Sequence, residues 1–230
     1  MTEESASNKE TRELYSMLHQ EYTIMTEYRM LQTENLRGIY VIPSYESSFL
    51  WYGVIFVRSG LYEGGVFRFT ITLPEKFPDD ETPVLTFVSN LYHPAIDAST
   101  GLLSLREVFP MWDKKRDHVW QILKYLHIIF DNLSIKVPAN TEAACMYKTN
   151  RKFFMQKVRE CVVTSIDHIY DDPPTEDKHY ITFKPYDPDI HEKAKDIMLT
   201  AFKPTEGATQ GMSWVQQGCY QPFSKEETMS

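Results

Sequence analysis

The chain has 230 residues, of which 42% are hydrophobic and 13% aromatic, and this is enough apolar material for a sizeable buried core. Its formal net charge of −8 argues against a nucleic-acid-binding protein, because phosphate contacts dominate such binding and favour a basic surplus. Three widely spaced cysteines argue against a disulfide framework or a zinc site: Cys145, Cys161 and Cys219. No apolar run is long enough to cross a bilayer.

The beginning of the chain is predicted to be a short lead followed by a helix. Residues 1–10 are polar and acidic, lack the basic and apolar blocks of a signal peptide, and are predicted to be disordered. A helix is predicted over about 11–35, because apolar side chains recur there near helical spacing: Leu14, Leu18, Met25 and Tyr28. A reducing, cytoplasmic setting is the expectation for such a chain.

The next part of the chain has the pattern of β-strands. Residues 38–45, 51–57, 66–73 and 84–88 are short, apolar runs separated by turns rich in Gly, Pro and Asp. Residues 66–73 alternate between apolar and polar side chains, which is typical of a strand with one buried face. The short connections predict a four-stranded antiparallel meander.

The remainder of the chain is predicted to be mainly helical. Residues 89–117 show little periodicity, and a long connection of this kind often carries function. Apolar stripes predict helices over 118–131, 141–147 and 151–170. The pattern as a whole, with a helix, a meander, an irregular segment and more helices, is that of an α+β domain.

The last sixty residues, 171–230, are predicted to form a C-terminal extension with structure of its own. Residues 179–183 look like a strand. A helix is predicted over about 189–202, because Asp187-Pro188 is a good helix start. Trp214, in an aromatic stretch near the end, is a candidate partner-binding residue, since Trp is enriched among binding hot spots; packing back onto the domain is an equal alternative for it.

The motifs resemble those of the ubiquitin-conjugating enzyme (UBC) family, in order, over about residues 11–170. They are a Tyr-Glu-Gly-Gly turn, a Phe-Pro step, the first two residues of the family's His-Pro-Asn signature and an Asn-x-Glu-Ala-Ala helix start: residues 62–65, 77–78, 93–94 and 140–144. The resemblance implies a UBC-like fold with an N-terminal helix, a four-stranded meander and C-terminal helices.

The same resemblance implies that the family's reacting groups are missing. The family places a nucleophilic Cys in a Gly-x-Ile-Cys-Leu stretch, and Ser104 stands at that position here. His93 and Pro94 of the signature are retained, whereas Ala95 replaces the Asn that helps to hold the oxyanion in the family. No residue is therefore expected to act in catalysis, and no metal or cofactor is expected.

Elementary chemistry agrees with this interpretation. A thiol has a pKa of about 8.5 and is partly ionised at neutral pH, whereas a serine hydroxyl needs an adjacent base. The loss of one oxyanion donor lowers the rate by roughly a hundred- to a thousand-fold in other enzymes. Ser104 with His93 as its base stays an alternative, although there is no Gly-x-Ser-x-Gly elbow.

Three stretches resemble one subfamily in particular, the fused toes proteins, which include AKT-interacting protein and insect crossbronx: residues 40–62, 171–183 and 211–215. The resemblance implies that this chain is an adaptor in a complex with a Hook-type coiled coil and an FHIP-type subunit. That complex links endosomal vesicles to motor transport on microtubules. Peripheral association with an endosomal or plasma membrane would then occur through the partners. The alternatives are a weak ubiquitin binder that assists an active conjugating enzyme, and an enzyme that forms an ester at Ser104.

Overall fold

The structure is a computed structural model that describes residues 3–79 and 81–201. One compact unit extends to Lys184, and a second unit begins at Pro185 and is treated separately below. Trp214 and Cys219 lie outside the described residues.

The core of the fold is a four-stranded antiparallel sheet in the order β1-β2-β3-β4. Its strands are β1 (Ile39–Pro43), β2 (Leu50–Phe56), β3 (Val66–Thr72) and β4 (Val84–Phe87). The register pairs each strand with the next along the chain. The predicted meander is therefore confirmed.

One face of the sheet, the inner face, packs against helix α2 (Val119–Asp131). The alternation in β3 puts Phe67, Phe69 and Ile71 on this face, where each is at most 1% exposed. The ring of Phe130 on α2 stacks on Phe67 with 5.8 Å between centroids and 8° between planes. Burial of these aromatic side chains is the main stabilising contribution to the fold.

Helix α1 (Glu3–Thr33) packs with only part of its length on the domain. Ile24 and Leu31 are buried in the core. The residues whose spacing predicts the helix lie mostly on another side, in an exposed apolar stripe: Leu14, Tyr15, Met17, Leu18, Tyr22 and Met25. Because a helix with an unpartnered apolar face is typical of an interaction surface, this stripe bears on function.

The beginning of α1 differs from the sequence prediction. Residues 1–10 are predicted to be disordered, but the helix begins at Glu3. Glu, Ala and Lys in this stretch are good helix formers, and extending a helix that is already nucleated by its packed part costs little free energy.

A buried carboxylate joins α1 to α2. Glu27, which is 7% exposed, accepts a hydrogen bond from the backbone N–H of Val119 at 3.0 Å, and its other oxygen lies 2.8 Å from Nδ1 of His118. The first N–H groups of a helix lack partners within the helix and favour a negative charge. Glu27 therefore fixes the angle at which the two helices meet.

Two further helices complete the first unit, α3 (Thr141–Thr149) and α4 (Arg151–Asp167). Asn140 and Asn150 cap them, because each side-chain oxygen accepts a backbone N–H of the first turn, at 2.9 and 3.2 Å. Phe154 of α4 is fully buried. The caps explain why the two helices begin where they do.

Residues 171–184, which we call the strap, cross the outer face of the sheet. Tyr180 packs on Tyr52 with ring centroids 5.1 Å apart, and Phe183 packs on Phe56 at 5.8 Å. The sequence predicts a domain that ends at 170 and a strand over 179–183, but the compact unit continues through Lys184 and the strap contains no strand. The strap is held mainly by side chains and not by a strand ladder.

Arg68 on β3 connects the sheet to the chain that passes over it. Its guanidinium donates hydrogen bonds to the carbonyl oxygen of Ile181 at 3.1 Å and to that of Ile169 at 2.6 Å. It also lies 5.0 Å from the centroid of the Phe183 ring. One side chain thereby holds both the chain just before the strap and the last part of the strap.

Asp177 anchors the strap to the turn after β1. Its carboxylate accepts hydrogen bonds from the Ser44 hydroxyl at 2.5 Å and from the backbone N–H groups of Tyr45 and His179 at 3.2 and 2.8 Å. Burial opposes the ionised form of Asp177, but these hydrogen bonds outweigh it and lower the pKa to about 2. The anchor is therefore a charged one at neutral pH.

The second unit contains helix α5 (Pro188–Ala201). All of its residues up to Thr200 are exposed. Its large apolar side chains are therefore in contact with solvent: Ile190, Ile197, Met198 and Leu199.

Candidate functional site: the groove at Ser104

A groove of about 580 Å³ contains Ser104. Leu103, Leu105 and Phe109 line it from one segment, and Val137 and Pro138 line it from the loop before α3. Its lining is mainly apolar and also includes polar and charged side chains. The chemistry of the groove depends on what surrounds Ser104.

Backbone hydrogen bonds hold the segment around Ser104 in place. Leu103 donates to the carbonyl of Leu85 at 2.9 Å, and Ser104 donates to the carbonyl of Ala95 at 2.9 Å. Ala95 and Ser104 are thus adjacent in space. They are the two positions noted in the sequence, and they lie nine residues apart in the chain.

A tight turn between these two positions shapes the groove. Asp97 accepts hydrogen bonds from the backbone and hydroxyl groups of Ser99 and Thr100, and these bonds lower its pKa to about 2. Gly101 has a φ of 72°, and a Cβ there would lie 2.6 Å from the carbonyl oxygen of Phe87. The Asp-x-Ser-Thr-Gly pattern is the sequence signal from which this turn can be found.

His93 is fully buried and supports the loop from within. Its Nε2 lies 2.9 Å from the carbonyl oxygen of Ile129, which can only accept, so Nε2 carries the proton. Its Nδ1 accepts the backbone N–H of Ala95 at 2.9 Å. Burial lowers the pKa of His93 to about 4.

Both ring nitrogens of His93 are therefore engaged, and the imidazole is neutral near pH 7. A general base for Ser104 would need a free nitrogen within hydrogen-bond distance of the hydroxyl. Among the described residues, the Ser104 hydroxyl makes no hydrogen bond to a base. This geometry argues against the alternative in which His93 activates Ser104.

Asn140 also belongs to the support of this loop. Its backbone N–H donates to the carbonyl of Pro94 at 3.0 Å, while its side-chain oxygen caps α3. Ala95 itself is completely buried and carries no side-chain donor. The loop is thus well supported, and residue 95 contributes no carboxamide to it.

The two described cysteines lie elsewhere. Cys145 is exposed on α3, with its sulfur 3.9 Å from the Thr149 hydroxyl. Cys161 is half-buried on α4, accepts the backbone N–H of Tyr92 at 3.4 Å, and has its pKa raised by burial. Neither residue lines the groove.

Within residues 3–79 and 81–201, no group of three His, Cys, Asp or Glu side chains is placed to hold a metal ion. Over the same residues, no helix combines the length and apolar character that a membrane span requires.

Known proteins match both the sequence and the fold. The sequence pattern of the family described as "Ubiquitin-conjugating enzyme" matches residues 23–162. A crystal structure of a putative ubiquitin conjugating enzyme from Plasmodium yoelii superimposes with a TM-score of 0.54 at 26% identity, covering 62% of this chain and 92% of that one.

Relatives match over nearly the whole chain. The "Protein crossbronx homolog" of Anopheles gambiae is 47% identical over 90% of this chain and 94% of its own length. Human "AKT-interacting protein" is 38% identical over 96% of this chain and 77% of its own length, and the "Protein crossbronx" of Drosophila mojavensis is 42% identical over 96% and 98%. The chain belongs to the ubiquitin-conjugating enzyme family, within the fused toes subfamily of crossbronx and AKT-interacting proteins.

Proposed function

We propose that this chain is a non-catalytic ubiquitin-conjugating-enzyme variant that acts as an adaptor subunit. The observation that carries the proposal is the environment of Ser104, which stands in a groove with a hydroxyl in place of a thiol and with a buried methyl group at Ala95. The imidazole of His93, which supports the same loop, has both nitrogens occupied.

The chemistry of thioester transfer explains why this environment is inert. The acceptor must be a good nucleophile near neutral pH, and the oxyanion that develops during attack needs a hydrogen-bond donor. Ser104 makes no hydrogen bond to a base among the described residues, and Ala95 supplies no donor from its side chain. Each deficiency is large, and they act on the same step.

The proposed partners are a Hook-type coiled coil and an FHIP-type subunit, in a complex that links endosomal vesicles to microtubule motors. The name of the AKT-interacting relatives supports a function in binding proteins. The exposed apolar stripes of α1 and α5 support a helical partner, because an amphipathic helix presents residues at this spacing to another helix. Trp214 is proposed as an additional contact.

The second candidate function is weak ubiquitin binding in support of an active conjugating enzyme. The retained groove, with its apolar lining, is the feature that favours it. The strap argues against the part of the outer face around Tyr52 and Phe56 as a ubiquitin site, because Tyr180 and Phe183 already pack on it. Titration with labelled ubiquitin separates the two candidates, since the adaptor proposal expects absent or millimolar binding.

The test of inactivity is a charging reaction with activating enzyme, ATP and ubiquitin. No adduct is expected with the unmodified chain or with Ser104→Ala. Ser104→Cys is expected to give little thioester, because Ala95 is unchanged. A hydroxylamine-sensitive adduct at Ser104, or efficient charging and discharge by the single Cys variant, would contradict the proposal.

The test of the adaptor function is affinity purification of the tagged chain. A truncation after Lys184 is the suitable comparison, because one after 170 would also uncover the sheet. Loss of the Hook-type and FHIP-type subunits from Ile190→Ser/Ile197→Ser or from Leu14→Ser/Leu18→Ser would locate the contact. If Trp214→Ala leaves both thermal stability and partner recovery unchanged, Trp214 has neither of its two expected roles.

A further inference from the structure

A basic face lies where α3 ends and α4 begins. We define it by Lys148, Arg151, Lys152 and Arg159, which are all exposed. Residues 143–159 contain no Asp or Glu, although the chain as a whole has a formal net charge of −8. The positive charge is therefore concentrated on one part of an acidic molecule.

Helix geometry puts two of these side chains on one side of α4, and the other two lie at the junction of α3 and α4. Lys152 and Arg159 are seven residues apart on α4, which is two turns and about 10 Å along one side of the helix. The guanidinium of Arg151 lies 5.6 Å from the centroid of the Tyr147 ring and so connects the two helices at their junction. Lys148 is in the last turn of α3.

The charges of the basic face are not balanced by carboxylates. No salt bridge joins any of its four residues to another side chain in the part of the chain that the structure describes. The neighbouring cation Lys157 behaves differently, because it pairs with Glu160 at 3.0 Å. Glu160 is further engaged by the Gln156 amide at 3.1 Å, so it is not available to neutralise the face.

This arrangement is unfavourable for α4 itself. The N-terminal turn of a helix favours acidic residues, since cations there oppose the helix dipole. The first turn of α4 contains no acidic residue and instead begins with Arg151 and Lys152. A local arrangement that costs stability is expected where a function depends on it.

We propose that the basic face binds anionic phospholipid headgroups at a membrane surface. The four cations are exposed on two helices that adjoin in the chain, and Lys152 and Arg159 lie on the same side of α4. Phe153 lies in sequence next to Lys152 and is 38% exposed, so an aromatic side chain accompanies the cations, as is common at membrane interfaces. The contact goes beyond the proposed adaptor function, in which partners provide the membrane association.

The acidic remainder of the chain does not prevent this contact. At physiological ionic strength, salt screens interactions between charges that are more than about 8 Å apart. The charges on the face nearest the membrane therefore determine the electrostatic attraction. Basic residues at an anionic surface contribute roughly 1 kcal/mol each, which corresponds to about a fivefold change in affinity per residue. The chain is therefore expected to bind with its basic face towards the membrane.

Sedimentation with lipid vesicles tests the proposal on the full chain. We expect binding to phosphatidylcholine vesicles that contain about a third phosphatidylserine, no binding to pure phosphatidylcholine, and loss of binding at high salt. The variant K148Q/R151Q/K152Q/R159Q should lose more than tenfold in affinity, from the same contribution per residue.

The matched control is R37Q/R58Q/K76Q/K115Q, which removes two Lys and two Arg from exposed positions elsewhere. It makes the same change in net charge and should bind within about twofold of the unmodified chain. Circular dichroism checks that both variants are folded.

Two results would overturn the proposal. One is the absence of binding to the anionic vesicles at low salt, and the other is an equal loss in both quadruple variants. Binding of polyglutamate through the basic face without binding to vesicles would also reject a lipid ligand and assign the face to an acidic protein segment.

Discussion

The groove at Ser104 and the strap on the outer face of the sheet are both held by buried or half-buried polar side chains, yet they have different roles. In the groove, His93 connects Ile129 to Ala95 and holds the loop beside Ser104, for which we propose no catalytic role. In the strap, Arg68 and Asp177 fix a segment that covers an otherwise open face. The comparison shows that the side chains that hold a segment in place need not be groups that react with a substrate.

The largest effect is expected from removal of the support in the groove. His93→Ala leaves the buried carbonyl of Ile129 and the buried N–H of Ala95 without partners and creates a cavity. The expected loss is about 3–5 kcal/mol in the free energy of unfolding, measured by chemical denaturation. His19→Ala is the control, because His19 is exposed on α1 and should change stability by less than about 0.5 kcal/mol. A small effect at His93 would mean that the loop does not depend on it.

The two regions should also respond to acid in different pH ranges. His93 has a folded pKa of about 4 against 6.5 in the unfolded chain, so its contribution is complete above 6.5 and is lost as the pH falls towards about 4. Asp177 has a folded pKa of about 2 against 3.8, so its contribution is complete above 3.8 and is lost only as the pH falls towards about 2.

The measurement is stability against pH, with hydrogen exchange resolved by region. The loop at His93 should weaken first, by up to about 3 kcal/mol, and the strap only below the range of the first transition. Asp177→Asn should remove the low-pH transition of the strap and leave the transition of the loop at His93 unchanged, while Asp97 still titrates near pH 2 in its own turn. Simultaneous weakening of both regions would show that they unfold as one unit.

A smaller effect is expected from loosening the strap. Arg68→Gln removes two hydrogen bonds to carbonyl oxygens and the contact with the Phe183 ring, and should cost about 2 kcal/mol. Limited proteolysis should then cleave within residues 171–184 more quickly. Arg37→Gln, at an exposed position, is the control. Unchanged proteolysis would show that Asp177 and the aromatic contacts hold the strap without Arg68.

The smallest effect is expected at Ser104 itself. Its hydroxyl makes no hydrogen bond in the part of the chain that the structure describes, so Ser104→Ala should change the free energy of unfolding by less than about 0.5 kcal/mol. Recovery of partners in affinity purification should be unchanged too. A marked loss in either measurement would give the hydroxyl a function that the geometry does not indicate.

The regular elements of the fold could be predicted from local sequence patterns. The alternation in residues 66–73 and the apolar stripe in 118–131 are determined by how each element buries one face, and both are confirmed. The adjacency of Ala95 and Ser104 follows from the family resemblance, and the hydrogen bond between their backbones agrees with it.

The strap could not be predicted in the same way. Asp177 and Ser44 are 133 residues apart, and residues 171–177 have the Pro-rich, acidic composition of a linker. The exposure of the stripe on α1 could not be predicted either, because helical spacing predicts a helix but does not tell which apolar face is buried. In both regions the outcome depends on contacts between distant parts of the chain.

The strap has a further consequence for any molecule that would bind the outer face of the sheet. A tethered segment competes at an effective concentration that is typically millimolar for a short connection. A free ligand must therefore displace Tyr180 and Phe183 before it contacts Tyr52 and Phe56, and weak ligands are excluded from this part of the face. The strap itself thus makes this part of the sheet selective for strong or multivalent ligands, and no second protein is needed for that selectivity.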